Sequence, residues 1–320
     1  MYDFTRFFEK RLLVDQYVDV FSSHIDDVIQ IGDSVVSGFG SGVIKKSFLR
    51  SLFAMRDCGS FLEFSQCSSF KPDHDFSLHT ANFCKSKFCP YCVWRRGLKY
   101  SFKVFQSLNH LLSDSSYHLY FLTLTLKNTF DPLEVDLHRL TKNFFKLRRL
   151  KWFSSFFSGG YWTIETTCGK NGYHPHMHVM LLSSSDFSSS DLFSLQKRIS
   201  SLWLSLTSDS FIVHLEAVYS SLEKAVVELA KYPFASFEGS LDMLVLLYPL
   251  YYGKRLFGSF GVVRSVKDSD LDDLVSVTDD SAGFCCSVCS ASLVNVRFLY
   301  NQSLKQYFST VLDSSSDFSF

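Results

Sequence analysis

The sequence predicts an α+β fold, on the strength of a buried strand, a basic helix and a hairpin that follow one another in mid-chain. Residues 119–126, Leu119-Tyr120-Phe121-Leu122-Thr123-Leu124-Thr125-Leu126, have the length and the aromatic and β-branched content of a buried strand, closed by Lys127-Asn128. Asp131-Pro132 then opens a helix over 132–151, because proline suits a first helical turn and apolar residues recur among basic ones. Segments 161–167 and 173–182 read as strands on either side of the turn Gly169-Lys170-Asn171-Gly172, so they pair as a hairpin. Helices are expected over 191–205 and 221–232. Three regions follow from this: a helical and irregular N-terminal extension over 1–75, broken at Ser37-Gly38-Phe39-Gly40-Ser41-Gly42; a compact motif-rich region over 76–264; and an acidic, Ser-rich extension over 265–320.

A chain of 320 residues with 46% hydrophobic and 20% charged residues is globular and long enough for two domains. Its 32 basic and 32 acidic side chains cancel, so total charge identifies no polyanionic partner. The distribution is uneven. Lys85, Lys87, Arg95, Arg96, Lys99 and Lys103 form one run without an acid, and Arg139, Lys142, Lys146, Arg148, Arg149 and Lys151 form another. Either these runs make a basic face for a nucleic-acid backbone, or they are two solvated helix faces. The compensating Asp268, Asp270, Asp272, Asp273, Asp279 and Asp280 fall in the C-terminal extension. Nine cysteines would fit a secreted disulfide scaffold in a shorter chain; here the length and the opening Met1-Tyr2-Asp3-Phe4, which has no signal-peptide character, point to a reducing cytoplasm. The longest apolar stretch, 243–252, is too short to span a bilayer, and no membrane partner is expected.

Chemistry concentrates in three places. His174, His176 and His178 alternate along the last predicted strand, so they project from one face at ~6–7 Å intervals while Met177 and Val179 enter the core. Imidazoles at that spacing can converge on a divalent cation. Glu165, on the preceding strand of the hairpin, is the expected oxygen ligand, against the alternative of an ordinary exposed acid. Imidazole plus carboxylate with open positions suits Mg²⁺ or Mn²⁺ on a phosphate. On the last predicted helix Glu228 and Tyr232 stand four residues apart on one face, with Lys231 beside the phenol and Pro233 ending the helix. Tyr232 is then either an activated nucleophile or an aromatic core residue. Finally, Cys84-x4-Cys89-Pro90-Tyr91-Cys92 carries thiolate-metal spacing, with Cys58, Cys67, His74 and His79 as upstream candidates and Cys285-Cys286-x2-Cys289 available to complete this site or form another. Structural Zn²⁺ on Cys58, Cys84, Cys89 and Cys92 is the expectation, against the alternative of free core thiols, and Arg95 and Arg96, directly after the cluster, are placed on DNA phosphate.

In this order the motifs resemble those of the plasmid rolling-circle replication initiators (Rep proteins), within the His-hydrophobe-His (HUH) endonuclease superfamily. The resemblance lies in Phe121-Leu122-Thr123-Leu124-Thr125, in His174-Pro175-His176-Met177-His178, and in Glu228-Leu229-Ala230-Lys231-Tyr232. It extends to the cysteine-rich stretch 82–96 and to Gly253-Lys254-Arg255-Leu256 with Gly258 and Gly261. It implies a ferredoxin-like HUH nuclease core with a central antiparallel sheet, beside an N-terminal Cys-rich zinc module and the acidic C-terminal extension. It further implies that Tyr232 attacks a phosphodiester at the plasmid double-strand origin, single-stranded at the nick. A 5′-phosphotyrosine and a free 3′-hydroxyl result, while Glu228 activates water for the terminating cleavage. Arg148, Arg149 and Lys151 join Arg95 and Arg96 as DNA contacts, and a host helicase and DNA polymerase are implied partners. Two alternatives stay open: an HUH-type transposase, and a zinc-dependent DNA-binding regulator without catalysis.

Overall fold

The computed structural model describes residues 4–35, 43–71, 73–114, 117–127, 132–169, 172–218, 221–230, 242–252, 254–263, 271, 273–275 and 285–312. The chain divides into two compact units, residues 1–99 with 271–320, and residues 100–270.

In the first unit, helices α1 (Phe4–Ser23), α2 (Ile25–Val35) and α3 (Val43–Arg56) precede a hairpin of β1 (Phe61–Cys67) and β2 (Phe76–Ala81). Helix α4 (Pro90–Asp114) starts in this unit and ends in the second. The later strands β8 (Leu293–Asn301) and β9 (Gln306–Leu312) return to the first unit, giving an antiparallel sheet in the order β2-β1-β8-β9. Residues 293–312 are therefore sheet, where the sequence reading placed an acidic appendage. The apolar Val294, Val296, Phe298 and Tyr300 alternate along β8, a period-two pattern that the acidic run before it obscured. Phe4, Phe7, Phe64 and Phe298 interlock over this sheet, with Phe4 and Phe298 ring centroids 4.4 Å apart and Phe7 and Phe64 5.1 Å apart.

The second unit contains, in chain order, β3 (His118–Thr125), α5 (Leu133–Leu147), α6 (Lys151–Phe156), β4 (Gly159–Gly169), β5 (Gly172–Ser183), α7 (Ser189–Thr207), β6 (Val213–Ala217), α8 (Leu222–Leu229), α9 (Asp242–Tyr251) and β7 (Phe257–Gly261). The antiparallel sheet runs β6-β3-β5-β4-β7. Setting aside the edge strand β7, the β-α-β-β-α-β sequence with its first and third strands central is the ferredoxin-like topology. Each predicted strand of this core is present, and the predicted 132–151 helix is divided into α5 and α6. Helix α7 is fixed at its start by a capping box in which Ser188 and Asp191 satisfy each other's backbone N–H.

Alternation along the strands separates two faces. Leu122 and Leu124 of β3, Met177 and Val179 of β5, and Trp162 and Ile164 of β4 are buried on one face. Helix α5 packs there, its Phe144 and Phe145 rings 6.4 and 5.7 Å from that of Trp162. The other face carries the histidines. Gly160 and Gly258 are dictated by close approach: a Cβ at Gly160 would stand 2.1 Å from the Met180 carbonyl oxygen, and one at Gly258 would stand 2.7 Å from the Trp162 ring.

Candidate active site

Strand β5 is bonded on both sides, so its side chains are fixed by two neighbours at once. His176 lies opposite Thr125 of β3 and Glu165 of β4; His178 lies opposite Thr123 and Thr163. Directly opposed positions share a face. The two rows place His174, His176, His178, Thr123, Thr125 and Glu165 on one face. The centroids of successive histidine rings are 6.5 and 6.3 Å apart.

The threonines orient the rings. Thr125 Oγ1 is 3.0 Å from His176 Nδ1, and Thr123 Oγ1 is 3.3 Å from His178 Nδ1. With Nδ1 engaged, Nε2 is the nitrogen presented to a ligand. His178 Nε2 and Glu165 Oε2 are 3.0 Å apart. Cis ligands ~2.1 Å from an octahedral ion stand ~3.0 Å apart, so this pair fits two adjacent positions around Mg²⁺ or Mn²⁺. Burial, helped by the neighbouring His178 and His174 and opposed by Glu165, pulls the His176 pKa below its ordinary value. A neutral imidazole is the form that binds a metal. Glu165 is paired with His178, and the histidine set does not form a cluster as tight as the cysteines described below. His214 of β6 was missed by the sequence reading. It opposes Thr123, so it stands in the same row as His178, exposed and 3.2 Å from Glu216. Its signal was available, since His214 and Glu216 alternate on a short strand.

Helix α8 packs against β5, burying Ala225, Val226 and Leu229, with Ser221 capping its N-terminus. Glu228 is on its exposed side. Lys231 and Tyr232 lie outside the described residues. Tyr251, in contrast, is buried with its hydroxyl donated to Thr166 Oγ1, and burial raises its pKa. That phenol is unsuited to attack.

The predicted basic contacts are redistributed. Arg95 is fully buried and donates from Nε to the Leu274 carbonyl at 2.8 Å and from Nη2 to the Val275 carbonyl at 2.6 Å. Arg96 is also buried and faces the Lys85 carbonyl at 3.4 Å. Both guanidinium groups are occupied by the first unit's own backbone, which corrects their assignment to phosphate. Lys99 pairs with Asp273 at 3.3 Å, so an acid from the C-terminal run meets this basic run. Arg148 is half-buried over the Phe145 and Phe260 rings, while Arg149 and Lys151 are exposed. All three follow α5, which covers the sheet face opposite the histidines.

In the first unit Cys58, Cys84, Cys89 and Cys92 converge, as the spacing predicted. Their sulfurs are 3.4 Å (Cys58–Cys89), 3.5 Å (Cys58–Cys92) and 3.6 Å (Cys84–Cys92) apart. Those separations exceed a disulfide bond of ~2.05 Å and approach the ~3.8 Å of a tetrahedral zinc with Zn–S of ~2.3 Å. Arg11 holds the Cys58 carbonyl at 2.7 Å, and the Cys84 N–H points at Cys58 Sγ at 3.4 Å. Gly59, at φ +71°, leaves no space for a Cβ against Tyr91. Burial raises the Cys58 and Cys89 pKa values, while neighbouring thiols lower that of Cys84. Four thiols this close can all ionise only around a cation, so this donor set can hold a metal ion. Among the described residues one further group brings its ligand atoms as close: Cys67, His74, Cys286 and Cys289.

Fold and sites together define a class: α+β proteins whose ferredoxin-like sheet presents alternate histidines on its middle strand, accompanied by a cysteine cluster. The family model described as "Replication protein" matches residues 75–285, the greater part of the chain. The chain belongs to this family, the Rep proteins of plasmid replication. A protein named "Protein rep" from Streptococcus pneumoniae serotype 2 (strain D39 / NCTC 7466) is 30% identical over 244 residues, covering 70% of this chain and 75% of that protein. A "Protein rep" from Lactiplantibacillus plantarum is 30% identical over 254 residues, covering 71% and 78%. One from Staphylococcus aureus is 30% identical over 184 residues, covering 56% and 79%. No solved structure matches the chain significantly. Among the described residues no helix is long and apolar enough to cross a membrane.

Proposed function

We propose that this replication protein is a rolling-circle initiator of the HUH type, which nicks and rejoins one strand of plasmid origin DNA through Tyr232. The observation that carries the reading is the threonine-oriented histidine row on β5, with Glu165 3.0 Å from His178 and α8, the helix leading to Tyr232, packed on the same strand. His176, His178, Glu165 and His174 would hold Mg²⁺ or Mn²⁺. That ion supplies Lewis-acid polarisation of the scissile phosphate and charge neutralisation at the transition state. The Tyr232 phenol loses its proton to solvent, and its oxygen attacks phosphorus. The P–O3′ bond breaks, the 5′ end stays on tyrosine, and the 3′-oxygen takes up a proton to leave a hydroxyl for DNA polymerase to extend. Lys231 lowers the cost of the phenolate electrostatically. For termination, Glu228 takes a proton from water as that water attacks the regenerated scissile phosphorus and the P–O3′ bond breaks, the 3′-oxygen taking up a proton. The freed 3′-hydroxyl then attacks the phosphotyrosine, rejoining the strand and returning its proton to the tyrosine oxygen. Zn²⁺ on Cys58, Cys84, Cys89 and Cys92 is structural, Arg149 and Lys151 contact backbone phosphate, and a host helicase separates the strands.

The test is incubation of the full chain with single-stranded origin DNA and Mn²⁺, followed by peptide mapping of the covalent adduct. The adduct maps to Tyr232 and is absent from Tyr232→Phe. An adduct that persists in Tyr232→Phe overturns the assignment, and adduct formation only on transposon ends favours a transposase. If the wild-type chain binds DNA without forming an adduct, it is a non-catalytic regulator.

A further inference from the structure

We propose that Cys67, His74, Cys286 and Cys289 form a second Zn²⁺ site, which fastens the segment before β8 to the β1–β2 hairpin. The four ligand atoms lie within 4.8 Å of one another. Cys67 Sγ is 3.5 Å from Cys289 Sγ and 3.4 Å from His74 Nδ1, and Cys286 Sγ is 3.6 Å from the same nitrogen. A tetrahedral zinc with Zn–S of ~2.3 Å and Zn–N of ~2.0–2.1 Å requires sulfur–sulfur separations of ~3.8 Å and sulfur–nitrogen separations of ~3.6 Å. Three thiolates with one imidazole are a donor set that selects zinc over Mg²⁺ or Ca²⁺.

The surrounding backbone is built for this arrangement. Cys67 ends β1 opposite Leu293, the first residue of β8, so both halves of the site emerge from adjacent strand ends. The Cys286–Cys289 turn is closed by the Ser290 N–H on the Cys286 carbonyl at 2.8 Å, with Ser290 in the left-handed region at φ +58°. Asp75, beside His74, accepts from the Ser287 N–H at 2.6 Å and from its hydroxyl at 2.7 Å, which pins the turn against the hairpin. Ser69 directs its N–H at Cys67 Sγ at 3.5 Å, and its hydroxyl lies 3.0 Å from the same sulfur. Such neighbours orient ligands around a metal. Cys67 and Cys289 are 222 positions apart, so the site ties together chain segments that only folding brings near.

Cys285 provides an internal control, because it is exposed like Cys289 and lies outside the ligand set. The full-length protein, purified with its metal, is treated with iodoacetamide before and after a strong chelator, and each cysteine is read by peptide mass spectrometry. Cys289 is expected to react at least roughly tenfold more slowly than Cys285, and to match it after chelation, because a metal-bound thiolate is shielded. Reaction of Cys289 at the Cys285 rate before chelation overturns the site. So does protection that only a reductant relieves, which would indicate a disulfide. Metal analysis gives the second readout: Cys286→Ser with Cys289→Ser should carry one zinc fewer per chain than the wild type, while His74→Cys should keep it. Unchanged metal content in the double variant overturns the proposal. Peptides bearing Cys84, Cys89 and Cys92 are read separately, so the two clusters succeed or fail independently.

Discussion

Arg95 offers a direct test of whether a basic run read from sequence touches DNA or holds the fold. Replacement by Met keeps most of the side-chain volume and removes the guanidinium. The loss comprises two charge-assisted hydrogen bonds, to the Leu274 and Val275 carbonyls, each worth ~1.5–3 kcal/mol. It also removes a cation positioned 5.8 Å from the Phe7 ring and 5.6 Å from the Trp94 ring, for which each contact contributes ~0.5–1 kcal/mol. Relief of desolvation and new apolar packing by Met offset part of this, leaving a net loss of about 4 kcal/mol. With an m-value of ~2 kcal/mol per molar urea, the unfolding midpoint falls by ~2 M. Two assays on the full chain are needed: urea unfolding, and DNA affinity against salt at a temperature where the variant is folded. The salt slope should be unchanged, because a buried guanidinium neutralises no phosphate. Lys151→Ala should behave in the opposite way, with an unchanged midpoint and a slope on single strands shallower by ~0.7. An Arg95→Met variant of wild-type stability with a reduced salt slope would refute the reasoning.

Other perturbations act on the sheet and its ligands. Gly160→Ala drives a Cβ onto the Met180 carbonyl oxygen, 2.1 Å away, and should cost ~2 kcal/mol or more by displacing β4 from the histidine strand; a thermal melt within a degree of wild type contradicts this. Thr125→Val removes the partner of His176 Nδ1 at nearly constant volume. It should slow Mn²⁺-dependent nicking ~10-fold with the melt unchanged, whereas Thr125→Ser restores the rate. Because burial lowers the His176 pKa, the imidazole stays neutral down to a pH below its ordinary ~6.5. On the proposed mechanism protonation would release a metal held by His176, so activity should be lost on the acid side with the limb of the nicking profile below pH 6.5; a limb above that value argues against His176 as a ligand. If the cysteine clusters hold zinc, a strong chelator should lower the melting temperature, and Zn²⁺ but not Mg²⁺ should recover it.

What could be read from sequence was what short-range periodicity encodes. His174, His176 and His178 interrupt an apolar strand every second residue, and that alternation both locates β5 and puts all three on one face. Cys84, Cys89 and Cys92 announce a metal cluster by spacing, and Cys58 joins them as expected. The threonine partners were illegible in chemical terms, because Thr123 and Thr125 look like ordinary β-branched strand residues until the register sets them opposite the histidines. The Cys67–His74 and Cys286–Cys289 pairs were visible separately, but no local pattern says that residue 67 meets residue 289. The basic runs misled for a related reason. Charge along a sequence does not specify depth, and Arg95 occupies one turn of α4 that the carbonyls of Leu274 and Val275 cover.

The position of α5 constrains how DNA can reach the site. Its apolar stripe, including Leu137, Leu140, Phe144 and Leu147, is buried, and Phe144 and Phe145 approach Trp162, whose neighbours Tyr161 and Thr163 lie on the histidine face. Arg149 and Lys151 therefore leave the end of a helix that lies on the sheet face opposite His176 and His178. Side chains that stay on opposite faces of a sheet do not grip the same phosphate. If Arg149 and Lys151 hold DNA, they hold a different stretch of it from the one being cut, and their removal should weaken affinity while leaving the rate of nicking at saturating DNA intact. If the histidine row is the cutting site, groups that steady the phosphate there come from the histidine face itself, where His214 stands in the His178 row. Loss of His214 should then lower that saturated rate, an asymmetry that a basic surface continuous around the molecule would not produce.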